Sequence, residues 1–216
     1  MRTALVVGGT GLVGGHLVDQ LVRSDDYSVI TVLVRQASFD SSPGLKEKVF
    51  DFKDEKSLTH LEPVQHVFCC LGTTIKKAGS KQAFRFVDCE LPTRFAKWAE
   101  LNKAESFSIV TSMGADSSSK IFYNKVKGEV EQKIKGCLVP RVQIFRPSLI
   151  MGGRSEFRLG EKLGKALFSI LNPLMIGAAK KYRGIHAENI ARGMIYHLEN
   201  LQDGVHIIES DKIKPD

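Results

Sequence analysis

The stretch TALVVGGTGLVGGHLV, residues 3–18, decides how this chain is expected to fold. A short apolar run, Ala4 to Val7, has the length and β-branched content of a buried strand. It breaks into Gly8-Gly9-Thr10-Gly11-Leu12-Val13-Gly14, and a helical period begins at Leu12 and runs to Val22. Strand, glycine-rich loop and helix in that order make a G-x-x-G-x-x-G fingerprint for a dinucleotide. Gly8 permits the tight turn, Gly11 lets the backbone approach a pyrophosphate at the helix N-terminus, and Gly14 allows the helix to pack close to the strand. Thr10, Leu12 and Val13 complete the cofactor-facing loop.

Similar units follow. Buried strands are expected at Val29–Val34, Lys48–Phe52, His66–Leu71, Phe107–Thr111 and Val142–Phe145, with a last one at Val205–Ile208. Helical periods are read over Lys81–Asn102, Ile121–Ile134 and Ala187–Glu199, while Gln36–Glu47, rich in Ser, Pro and Gly, reads as a loop. Alternating strands and helices imply an α/β fold: a Rossmann-type doubly wound parallel sheet with right-handed crossovers. Residues 1–150 form the cofactor-binding core. Residues 151–216, with a Gly- and Lys-rich helix at Arg158–Leu171 and a turn at Pro173, are too few to fold alone. They read as a small C-terminal substrate-side lobe completing the same domain, its final helix and strand rejoining the core.

Bulk properties agree with one domain. The 216 residues are 43% hydrophobic and 25% charged, enough to bury roughly 70 to 75% of the unfolded surface. The net charge of +7 is spread along the chain, and no basic stretch interleaves aromatics, so nucleic acid is not an expected partner. Five glycines between Gly8 and Gly15 cut the opening apolar run, which excludes a membrane span and a signal peptide there. Cys69, Cys70, Cys89 and Cys137 lack C-x-x-C spacing, which excludes a zinc knuckle, predicts no metal and implies reduced thiols. A cytoplasmic location is the expectation.

Cofactor type is usually decided where the second strand ends. That strand closes on Leu33-Val34-Arg35-Gln36, with Arg35 where an acidic residue would bind the ribose hydroxyls of NAD. A forked cation suits the 2'-phosphate of NADP(H). Asp51 and Phe52, ending the third strand, lie where a carboxylate could approach the adenine amino group, or Asp51 could cap a helix. The fourth strand ends in Leu71-Gly72-Thr73-Thr74, with Gly72 placed for a close backbone approach to the cofactor ribose. Cys70 reads as strand core, because no histidine or helix N-terminus is at hand to activate it. His186 reads as a loop residue.

The fifth strand ends Thr111-Ser112, and the next helix opens Tyr123-Asn124-Lys125-Val126-Lys127, putting Tyr123 and Lys127 on one helical face. A Y-x-x-x-K match alone is cheap; on the helix after a strand that ends in hydroxyl residues it is informative. An ammonium beside a phenol favours its ionised form, which suits proton exchange with a substrate oxygen near neutral pH.

The glycine loop, FCCLGTT (68–74), KAG (77–79), SMGAD (112–116), YNKVKGEVE (123–131) and FRPSLI (145–150) together resemble the oxidoreductase family of the Tat-interactive tumour-suppressor protein. That family is an atypical branch of the short-chain dehydrogenases/reductases, related to NAD-dependent epimerases and dehydratases. The resemblance implies an NADP(H)-binding Rossmann fold and a catalytic set of Ser112, Tyr123 and Lys127, with Tyr123 as acid/base and Lys127 also holding the nicotinamide ribose. The family has two serines where this chain has Thr111-Ser112, so either hydroxyl is a candidate. Arg146, Pro147 and Ser148 resemble the segment lining the nicotinamide pocket. The implied activity is hydride transfer to or from a small carbonyl or alcohol. A non-catalytic NADP(H) sensor or a protein-interaction regulator is the alternative, and a protein partner rests on the resemblance alone.

Overall fold

The computed structural model describes residues 1–152 and 177–214. The chain runs β1 (Arg2–Val7), α1 (Leu12–Val22), β2 (Tyr27–Val34), β3 (Leu45–Val49), a 3-10 turn (Glu55–His60), β4 (His66–Cys69), α2 (Ile75–Ala78) and α3 (Lys81–Arg85). After a π-helical segment (Phe86–Glu90) come α4 (Leu91–Leu101), β5 (Ser106–Val110), α5 (Phe122–Lys135), β6 (Arg141–Arg146) and β7 (Ile150–Met151). A second 3-10 turn (Gly177–Tyr182) leads to β8 (Ile185–His186), α6 (Ala187–Asn200), β9 (Gly204–Glu209) and α7 (Ser210–Ile213). Seven of these strands form one sheet in the order β3-β2-β1-β4-β5-β6-β9, and every neighbouring pair is parallel. Strands β7 and β8 pair beside it.

Period-two alternation in the central strands builds two cores. Leu5, Val7, Val67 and Cys69 face α4 and α5, packing on Phe95, Ala99, Val126 and Val130. Ala4, Val6, Val32 and Phe68 face α1 and α6, packing on Leu17, Leu21, Ile190 and Met194. Because successive side chains point to opposite faces, the central strands are buried on both and read as continuous apolar runs. The chain reverses its direction of travel between β1 and β4, and the crevice at their carboxyl ends is where open α/β sheets bind ligands.

Three expectations need correction. The third strand lies at Leu45–Val49 instead of Lys48–Phe52, and it is an edge strand with Val49 exposed, not a fully buried one. Phe50 and Phe52 stack edge to face and pack on Phe95, while the Phe50 amide still donates to the Val34 carbonyl at 2.8 Å. The fourth strand stops at Cys69, where the chain must pass the glycine loop. The helical period over 81–102 is interrupted by the π segment, which turns Asp88 and Cys89 inward. The helix expected at Arg158–Leu171 and the turn at Pro173 lie outside the described residues.

The amino ends of β2, β4 and β5 hold a buried polar cluster. Burial keeps the Tyr27 hydroxyl protonated, and it is hydrogen-bonded to His66 Nδ1 at 2.8 Å. Burial also lowers the His66 pKa from 6.5 to about 4; Glu105, 3.7 Å from Nε2, opposes this only in part. With the folded value below the unfolded one, the unfolded chain binds the extra proton between these values. Stability therefore falls as pH drops from about 6.5 towards about 4. Urea denaturation at pH 7 and pH 4.5 should show His66→Gln losing about 2–3 kcal/mol less than the wild type over that interval; equal losses would remove His66 as the acid-sensitive group.

Candidate active site

The site is built where β1 meets α1. Gly8 has φ +86°, and a Cβ there would lie 2.7 Å from the Cys70 carbonyl. A Cβ on Gly14 would lie 2.2 Å from the Gly8 carbonyl oxygen, so the first turn of α1 sits directly on the end of β1. The Gly8 carbonyl also accepts the Gly11 N–H at 3.0 Å. Gly11 is the N-cap and supplies no side-chain cap. The amides of Leu12, Val13 and Gly14 therefore have no acceptor within the helix, and with the helix dipole they form an anion cradle. These residues fit a dinucleotide pyrophosphate.

Beyond the carboxyl end of β2, Thr10, Arg35, Gln36 and Ser38 line a cavity of about 350 Å³. Glu47 holds the loop around it by accepting the Ser38 and Phe39 amides at 2.6 and 3.2 Å. Asp51 accepts the Lys53 amide at 2.9 Å, closing a local turn. The following 3-10 turn is capped by Asp54, not Asp51. Phe52 packs with Phe50 and Phe95.

Across the switch point, Leu71 packs on the core under α4. The Thr73 amide donates to Asp88 Oδ2 at 3.0 Å, and the Thr74 hydroxyl caps α2 by accepting from Lys77 N at 3.1 Å. At Gly72 the nearest atom to an added Cβ is 3.9 Å away, so the protein itself makes no steric demand for glycine there.

Helix α5 brings in the remaining groups. The Tyr123 ring packs against Phe84 with centroids 5.6 Å apart. One turn on, Lys127 is buried, its Nζ 2.8 Å from Oδ1 of the equally buried Asp88. Burial is the largest single influence on this ammonium and works against its charge. Asp88 and Tyr123, with Cys69, outweigh it and hold Lys127 above the ordinary lysine range. Gly128 lets α5 approach the loop after β5, since a Cβ there would meet Ser117 N at 2.1 Å. That loop carries Ser112.

The two adjacent hydroxyls are sharply distinguished. Thr111 is buried and shares its proton between Glu131 Oε1 at 2.8 Å and the Phe145 carbonyl at 3.2 Å. Ser112 Oγ is buried with no hydrogen-bond partner among the described residues.

Arg146 was assigned to the nicotinamide pocket from the sequence, but its guanidinium is spent inside the protein. It donates to Glu131 Oε1 and Oε2 at 3.0 and 2.6 Å, to Glu209 at 3.1 Å and to the Ala115 carbonyl at 3.4 Å. The Pro147 carbonyl accepts the Met113 amide at 2.9 Å. Ser148 donates its hydroxyl to the Arg183 carbonyl and accepts from Ser210, so it too is tied into the protein. His186 ends β8 and occupies the N-cap position of α6. Cys70 faces Met194 Sδ at 4.0 Å, and loss of hydration pushes its thiol up, as it pushes Cys69 to about 12. Neither is an activated nucleophile.

Sequence reasoning missed Asp88 and Glu131. Glu131 had a signal, because 123, 127 and 131 fall on one stripe of α5. Asp88 had none: its inward direction comes from the π segment, which no periodicity announces.

No family model matches the chain. Among characterised proteins it is 31% identical over 174 residues to Protein HTATIP2 of Rattus norvegicus, covering 79% of this chain and 72% of that protein. It is 30% identical over 172 residues to Protein fmp52, mitochondrial, of Emericella nidulans, covering 76% of this chain and 74% of the relative. Among solved structures it resembles MoeE5 in complex with UDP-glucuronic acid and NAD, with a TM-score of 0.72 at 14% identity over 96% of this chain and 76% of that one. A short-chain dehydrogenase family protein from Francisella tularensis gives a TM-score of 0.66 at 18% identity over 97% and 98%. The fungal relatives are named as mitochondrial, which overturns the cytoplasmic expectation; unpaired thiols report a reducing environment, not which compartment supplies it. By its identity to HTATIP2 and FMP52 over most of its length, and by its Rossmann-like sheet, the chain belongs to their family, an atypical branch of the short-chain dehydrogenases/reductases.

Proposed function

We propose that this protein is an NADP(H)-dependent oxidoreductase acting on a small carbonyl or alcohol, with Tyr123 as acid/base and Ser112 holding the substrate oxygen. The observation that carries this reading is the buried Ser112 hydroxyl, which has no hydrogen-bond partner among the described residues, on the loop that packs against the helix bearing Tyr123 and Lys127. A buried hydroxyl without a partner is costly unless a ligand satisfies it. The bonds of Thr111 to Glu131 and Phe145 favour Ser112 over Thr111 for that role.

When bound, the nicotinamide supplies the two-electron chemistry at its C4. The chain's own groups do the rest. The amides of Leu12, Val13 and Gly14 hold the pyrophosphate, and Arg35 meets the 2'-phosphate in the cavity it shares with Thr10, Gln36 and Ser38. Ser112 donates to the substrate oxygen, and Tyr123 transfers a proton to or from it. Lys127, kept charged by Asp88, lies one turn after Tyr123 on the same helix; its ammonium is buried against that carboxylate, so a hold on the nicotinamide ribose, proposed from the resemblance, would need it to turn from Asp88. Solved neighbours include complexes with NAD; the preference for NADP rests on Arg35.

Tyr123→Phe keeps the ring against Phe84 and removes the hydroxyl. Turnover should fall by roughly 100-fold or more, with NADPH affinity within a few fold; undiminished kcat would end the acid/base assignment. Arg35→Ala should weaken NADPH binding by about 1–3 kcal/mol in calorimetric titration and leave NADH nearly unaffected, whereas equal losses would count against 2'-phosphate recognition. Asp88→Leu strands a buried ammonium and should cost about 3–5 kcal/mol in urea denaturation, with much of that recovered in Asp88→Leu/Lys127→Met.

A further inference from the structure

We infer that Glu131 and Arg146 act as a positioning pair that clamps the Ser112 loop from both ends and so sets the Ser112 hydroxyl relative to Tyr123. This rests on the oxidoreductase reading for its functional consequence, and on geometry alone for the clamp. Glu131 is 1% exposed and lies two turns after Tyr123, about 12 Å along the axis of α5. At that distance it does not reach a substrate held by Tyr123. Its Oε1 takes the hydroxyl of Thr111, the residue before Ser112, at 2.8 Å. Its two oxygens take Arg146 Nε and Nη2 at 3.0 and 2.6 Å. Arg146 Nη2 also reaches the carbonyl of Ala115, on the far side of Ser112, at 3.4 Å, and its other terminal nitrogen ties in Glu209 at the end of β9.

The loop between the two anchors is held by backbone contacts as well. The Thr111 amide bonds to the Phe145 carbonyl at 2.8 Å, Met113 to Pro147 at 2.9 Å and Ala115 to Ser112 at 3.2 Å. Because Ser112 Oγ has no hydrogen-bond partner among the described residues, its placement is inherited from these neighbours. A carboxylate that bridges the strand ends of β5 and β6 to the helix carrying Tyr123 therefore fixes the distance between the two groups that must meet one substrate oxygen. Misplacement of a reacting group by about 1 Å can cost on the order of 100-fold in rate.

The test compares Glu131→Gln, which keeps an acceptor for Thr111 but withdraws the charge facing Arg146, with Glu129→Gln. The latter breaks the Arg85 ion pair on the same helix. In the NADPH-saturated protein, Glu131→Gln should speed amide exchange at Met113 and Ala115 at least tenfold while the α5 amides keep their protection. With a turned-over aldehyde, kcat should fall 20-fold or more at a temperature well below unfolding, with NADPH affinity within twofold. Glu129→Gln should change none of these. Unchanged exchange at Met113 and Ala115, or a kcat loss matched by Glu129→Gln, overturns the clamp. If Glu131→Gln does not fold, Thr111→Val, which removes one anchor and keeps the ion pair, must speed exchange at Met113, and failure to do so equally overturns it. A wild-type protein that turns over no aldehyde or ketone counts against the oxidoreductase reading, whereas the exchange measurement still decides the clamp.

Discussion

The contact on which the rest of the molecule depends is the one between Gly14 and the Gly8 carbonyl. With 2.2 Å between that oxygen and the place a Cβ would occupy, only a glycine lets α1 rest on the end of β1. That approach aims the open amides of the first turn into the crevice between β1 and β4. It also fixes the height of α1 above the sheet, so that Leu17 and Leu21 reach Val6 and Phe68 on one side and Met194 of α6 on the other. Any side chain at position 14 would have to lift the helix, and a lifted helix loses both the cradle and that half of the core.

The elements that the sequence disclosed are those whose residues answer to a local rule. Helix α1 was legible to the residue, Leu12–Val22, because a glycine fingerprint starts it and a 3.6-residue period carries it. The central strands were legible because burial on both faces leaves a continuous apolar run. Strand β3 was misplaced by three residues because its Leu-Lys-Glu-Lys-Val carries no such run; only pairing with Ile30–Val34 identifies it. In the candidate site, Tyr123, Lys127 and the glycine loop are the residues that spacing alone singles out. Asp88 was hidden by a π segment, and Arg146 was given to the cofactor because its segment resembles a pocket lining. Its actual partners, Glu131 and Glu209, are 15 and 63 residues away. Electrostatic partnership across such separations follows from the fold and cannot be read before it.

Two ion pairs, the buried Lys127 with Asp88 and the partly buried Arg146 with Glu131, stand on the side of the sheet that faces α5. Neither is a good way to gain stability: removing two charges from water costs several kcal/mol per ion, and well-packed apolar residues of similar volume do as well or better. What they supply is direction. An apolar contact tolerates sliding by a few tenths of an ångström, whereas a carboxylate that accepts from a guanidinium and a hydroxyl has one arrangement that satisfies every donor. The first pair fixes an ammonium one turn from Tyr123 and, through the Thr73 amide, ties it to the loop after β4. The second ties the same helix to the ends of β5, β6 and β9. Helix α5 is thus registered against the carboxyl ends of four strands by charge instead of by shape.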